Sequence, residues 1–134
     1  MNSASMLVCY NQPMTPAYGP YSPIKKAGET YYISGQIGID PATKQAAADI
    51  TTQTKQVLAN LEALLREAGL KRANVVKTTV FLTDMGDFAA MNEVFQEFFP
   101  TPRPARSTVG VNELPRVGDQ PLLVEIEATA YKAA

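Results

Sequence analysis

The residue best suited to chemistry is Arg106, which follows the segment Pro100-Thr101-Pro102-Arg103-Pro104 and opens a stretch, Arg106 to Asn112, that reads as a strand. The prolines stiffen the approach, so the direction of the side chain is set at small entropic cost. A held guanidinium suits a carboxylate, because its planar fork makes two parallel charge-assisted hydrogen bonds, roughly twice the strength of neutral ones. The same residue could close an ion pair with Glu125 or Glu127, which lie two apart in the last strand and share a face. Spacing leaves both readings open. Arg103, flanked by prolines, reads as a solvated loop cation.

Glu125 has the same two possible roles. A free glutamate titrates near a pKa of about 4.3; an adjacent Arg lowers that value and burial raises it. Beside a bound carboxylate and a leaving amine it could orient or deprotonate water, an effect worth about 10² to 10⁴ in rate. A salt bridge is again the alternative. The chain has no histidine and one cysteine, which removes the usual zinc ligands and any Ser-His-Asp or Cys-His unit. Hydrolytic chemistry would have to run on carboxylates, Arg, hydroxyls, Lys or backbone groups. Cys9 has no internal disulfide partner and reads as a reduced thiol.

The 134 residues are enough for one domain, and 46% hydrophobic with 19% charged residues is the balance of a globular chain. Twelve Lys and Arg against 13 Asp and Glu give a net charge of -1, no field for drawing in phosphate backbones. Nucleic acid is therefore not expected as a partner. No window approaches the roughly 18 apolar residues of a membrane span, and no basic residue precedes Lys25, so the expectation is a cytoplasmic chain without membrane or export signal.

The elements that must position these groups follow from periodicity. Pro13 to Pro23, with Tyr18-Gly19-Pro20-Tyr21, reads as a packed loop, and Thr30 to Ser34 as a strand bounded by Gly28 and Gly35. Asp49 predicts a helix start, with Ile50, Val57, Leu58, Leu61, Leu64, Leu65 and Ala68 at helical spacing until Gly69. Val75 to Leu82 reads as a strand with Val76, Val80 and Leu82 on one face. A second helix, capped by Thr83 or Asp84, places Phe88, Met91, Phe95 and Phe98 at spacings of three and four until Pro100. In the final strand, Leu122 to Tyr131, the apolar face is Leu122, Val124, Ile126, Ala128 and Ala130. The order predicts an α+β domain with two helices on one side of a sheet. Its other face would show Phe81, Leu123 and Tyr131, which favours oligomerisation through that face.

Gly19-Pro20-Tyr21, Ser34-Gly35-Gln36, Val76-Lys77-Thr78-Thr79-Val80, Pro104-Ala105-Arg106-Ser107 and Val124-Glu125-Ile126-Glu127-Ala128 occur in the order seen in the RidA/YjgF family. The chain resembles that family over nearly its whole length. The resemblance implies a chorismate-mutase-like fold, a mixed sheet of about six strands with two helices on one face, assembled as a homotrimer with active sites between subunits. It implies that Arg106 holds a substrate carboxylate and Glu125 attends the attacking water. Tyr21, Ser34, Gly35 and Asn92 match pocket-lining positions. Thr108 stands where the family often carries Cys, so a reactive thiol is absent there, while its backbone can still face substrate.

The implied reaction is hydrolysis of reactive 2-imino acids, such as 2-iminobutanoate and 2-iminopropanoate, to 2-oxo acids and ammonia, which calls for no cofactor and no metal. One rival is the endoribonuclease and translation-inhibitor activity also described for the family, against which stand the missing histidine and the missing basic patch. A second is a non-catalytic trimer that binds small carboxylates or unfolded clients. The preferred imino-acid side chain is not legible, because the pocket would be built from two subunits.

Overall fold

The computed structural model describes residues 17–134; Cys9 and the first two prolines of the loop beginning at Pro13 lie outside them. The elements are β1 (Ile24–Ala27), β2 (Thr30–Ile37), α1 (Ile50–Glu67), β3 (Val75–Leu82), α2 (Phe88–Phe98), β4 (Ala105–Gly110) and β5 (Val124–Tyr131). The sheet order is β1-β2-β5-β3-β4. β3 and β4 are parallel and joined through α2, and the other pairs are antiparallel. This is a mixed α+β sheet, with five strands among the described residues instead of six. Between β4 and β5, Pro115 and Pro121 have no N–H for a ladder, and the chain runs as a loop. Its end is tied by Gln53, whose side-chain amide donates to Pro121 O and accepts from Leu123 N.

Helix α1 begins where expected. Asp49 accepts from the Thr52 amide at 2.9 Å, filling one of the donors that a helix start leaves open. It ends before Gly69, whose φ of 74° is open to glycine at little cost. Val57, Leu58, Leu61, Leu64 and Leu65 are all buried against the sheet, in one core with Val124, Ile126, Ala128 and Ala130 of β5, whereas Leu122 is buried in a second, smaller cluster with Ile37 and Ile39. Asp84 caps a single 3-10 turn (Met85–Asp87), accepting from Gly86 N at 2.8 Å, and α2 starts only at Phe88. The expected cap is thus real but serves the turn before the helix, where Gly86 weakens regular helix formation. No helix among the described residues is long and apolar enough to cross a membrane.

Two register shifts matter. In β3 the pairing jumps from Val75–Ala130 to Lys77–Thr129, a bulge that turns Val76 outward (49% exposed) and puts Val75 in the core instead. Val76 therefore does not share the buried face of Val80 and Leu82. In β2 the pairing passes from Ile33–Ala128 to Gln36–Ile126, so Ser34 and Gly35 sit in a bulge, a device that re-aims backbone beside sites.

Candidate active site

Arg106 faces the helices. Its parallel partner on β3 is Thr78, which is fully buried, and directly paired residues share a face. The guanidinium carbon lies over the Phe95 ring at 4.7 Å and the Phe88 ring at 5.6 Å, and Nη1 reaches Met91 Sδ at 3.8 Å. Arg72 pairs with Glu62 and Arg116 with Glu113, and neither pair involves Arg106. Burial lowers its pKa, yet a guanidinium starts so high that it stays charged.

Two more polar groups sit around this arginine. Thr108 follows Arg106 by two residues in β4 and so shares its face. Asn92 is four residues after Phe88 and three before Phe95 on α2, on the stripe that meets Arg106. Asn92 Oδ1 and Thr108 Oγ1 are buried with no hydrogen-bond partner among the described residues. A buried polar atom left unpaired costs about 1–3 kcal/mol, so a pair of them beside an acid-free cation is what an incomplete binding site presents.

The remaining residues gather elsewhere. Any Cβ at Gly35 would run into the Glu125 carboxylate, so the bare backbone of the β2 bulge is what gives that acid its space. The Ser34 hydroxyl donates to Ser22 O at 2.7 Å and its amide to Pro23 O at 2.9 Å, pinning the aromatic loop to the bulge. Tyr21 folds back on that loop, its amide donating to Gly19 O at 2.9 Å and its hydroxyl accepting from Tyr18 N at 3.2 Å. Tyr21 and Gly35 line one small cavity with Tyr18, Pro23 and Gln36. Burial, and secondarily the nearby Glu127, raise the Glu125 pKa above the ordinary carboxylate range.

The two groups are on opposite faces of the sheet. Glu125 pairs with Phe81 on β3 and Arg106 pairs with Thr78; positions 78 and 81 differ by an odd number, so their side chains point to opposite sides. Within one chain Arg106 forms no ion pair with Glu125 or Glu127, and the bland reading of the spacing is not realised. The structure thus brings Arg106, Thr108 and Asn92 together, and Tyr21, Ser34, Gly35 and Glu125 together, but not the two sets. The surroundings of Arg106 are not marked in the sequence. Phe88, Met91 and Phe95 carry an ordinary core spacing, and nothing in that spacing signals that β4 lays an arginine against them.

The fold is an α+β domain whose sheet shows an acid-free arginine on its helix face and a desolvated carboxylate on the other. The chain belongs to the RidA/YjgF family, whose model, described as Endoribonuclease L-PSP, matches residues 12–132. It is 50% identical over 115 residues to a RutC family protein of Pyrococcus horikoshii, covering 85% of this chain and 88% of the relative. It is 45% identical over 117 residues to the 2-iminobutanoate/2-iminopropanoate deaminase of Mus musculus, covering 87% of this chain and 84% of that one. Among solved structures, RidA from an Antarctic Psychrobacter superposes with a TM-score of 0.82 at 41% identity, over 92% of this chain and 95% of that chain.

Proposed function

We propose that the protein is an enamine/imine deaminase that hydrolyses short 2-imino acids, such as 2-iminobutanoate and 2-iminopropanoate, to 2-oxo acids and ammonia, at sites assembled between copies of a homotrimer. The observation that carries this reading is the placement of Arg106 and Glu125 on opposite faces of one sheet. In one chain they cannot serve a single small molecule. Where two copies meet, one can offer Arg106, Asn92 and Thr108 while the other offers Tyr21, Ser34, Gly35 and Glu125. The name of the mouse relative supports the reaction class.

The chemistry asks little of the protein. Arg106 takes the substrate carboxylate, which fixes the adjacent protonated C=N carbon in place. Ionised Glu125 accepts a proton from water as the water oxygen bonds to that carbon, giving a neutral carbinolamine. Glu125 passes that proton to nitrogen, the C–N bond breaks with its electrons going to ammonia, and the hydroxyl proton goes through Glu125 to the departing ammonia as C=O forms, leaving Glu125 ionised. In sum, iminium plus water gives 2-oxo acid plus ammonium. A carboxylate whose pKa is raised by burial is a better proton carrier near neutrality than an ordinary one.

The test is hydrolysis of a freshly generated 2-iminobutanoate, followed by ammonia release against the solvent rate. Arg106→Ala should abolish the acceleration while sedimentation shows the assembly unchanged. No acceleration by native protein ends the proposal. The nuclease description of the family model is separated by the same variant: RNA cleavage that persists while imine hydrolysis is lost would assign the two to different groups.

A further inference from the structure

Arg106 carries a full positive charge into a half-buried position with no acid against it, and such a charge must be held by something. What meets it is one stripe of α2. Phe88, Met91 and Phe95 recur at i, i+3 and i+7, and all three face the guanidinium. Met91 is fully buried and Phe95 nearly so, while Phe88 is 37% exposed. An aromatic face attracts a guanidinium through the ring quadrupole, and the thioether adds a soft, polarisable contact.

We infer that Phe95, assisted by Phe88, is the positioning residue that keeps the Arg106 guanidinium aimed and free of any competing anion, so that an incoming carboxylate meets an open fork. A carboxylate partner would hold the arginine as firmly, but would occupy the donors that the substrate needs. A ring attracts the cation through its face, whereas the N–H bonds lie in the guanidinium plane and remain available. Among the described residues, Nη1 meets only a sulfur, a weak acceptor, at 3.8 Å. This deepens the reading of Arg106 as a carboxylate anchor and rests on it.

The test measures 2-oxobutanoate binding by calorimetry and steady-state kinetics on fresh 2-iminobutanoate. Phe95→Leu should weaken binding and raise KM by about 2- to 30-fold, the span of a cation–π contact, with kcat nearly unchanged because the contact serves bound substrate and transition state alike. Phe95→Tyr, which keeps the ring, should restore native behaviour. Phe88→Leu, at a partly exposed site that folding tolerates, should show a smaller loss in the same direction. The deciding protein carries pentafluorophenylalanine at position 95, which keeps the shape and reverses the quadrupole. Weakened binding there supports the inference, and native affinity there overturns it whatever the other variants do. Undiminished 2-oxobutanoate binding in Arg106→Ala would instead remove the anchoring role itself, so the two failures are distinguishable.

Discussion

Gly35 lies so close to Glu125 that the acid occupies the space a Cβ would need. The bulge in β2 delivers backbone there, and only a glycine leaves room for the carboxylate. Gly35→Ala should turn Glu125 out of its position and lower kcat/KM for imine hydrolysis by about 10²-fold or more, the lower end of what a displaced acid-base group costs. A kinetic assay beside a melting curve checks this: lost activity in a protein that still melts cooperatively is the expected pair of results.

Glu125 carries a pKa raised chiefly by burial, and the sign of its effect on stability follows. A carboxyl whose folded pKa exceeds its unfolded value contributes stability that is fully present below the unfolded pKa and is lost as pH rises through the folded pKa. At neutral pH the ionised group is therefore a burden to the fold. Glu125→Gln should melt higher than native at pH 7 and no higher at pH 4, and thermal scans at the two values decide it. The same substitution should cut imine hydrolysis by about 10² to 10⁴, and the acid limb of the native rate profile should lie above the range of an ordinary glutamate.

Arg106→Lys separates geometry from charge. Lysine keeps the cation but offers a point charge in place of a planar fork, and it matches the Phe95 face less well. KM for the imino acid should rise by about 10-fold or more, on the scale of one charge-assisted hydrogen bond. Native KM in this variant would mean that the fork is not what grips the substrate.

Glu125, Phe81 and Val109 form one row across β5, β3 and β4 on the face away from the helices, and Val109 is 42% exposed. If that face joins copies, a charge there must break the assembly and the composite site together. Val109→Asp should sediment as a monomer and lose imine hydrolysis, while its far-ultraviolet circular dichroism stays native. A monomer with full activity would overturn the composite site.

Asp49 tests the first helix alone. Asp49→Ala removes the acceptor of the Thr52 amide and should cost about 1 kcal/mol of stability, read from denaturant midpoints, with activity unchanged.

The sequence by itself determined whatever depends on local periodicity and on composition. The span and cap of α1 followed from Asp49, Gly69 and the leucine spacing. The buried face of β5 followed from strict alternation, because each apolar side chain there has helices to pack against. Missing histidine excluded whole reaction classes without any coordinates. What only the tertiary structure decided was the face to which each strand turns. In β4 the alternation pairs Arg106 with Thr108 and Ser107 with Val109, and hydrophobicity alone would send Val109 inward. The fold does the reverse, laying the polar side under α2 and leaving Val109 outward. The bulge at Val76 shifts register by one residue, which reverses side-chain direction with no mark in composition. The separation of Arg106 from Glu125 is of the same kind, since it depends on which residues β3 pairs with on its two sides, a long-range choice that no local pattern encodes.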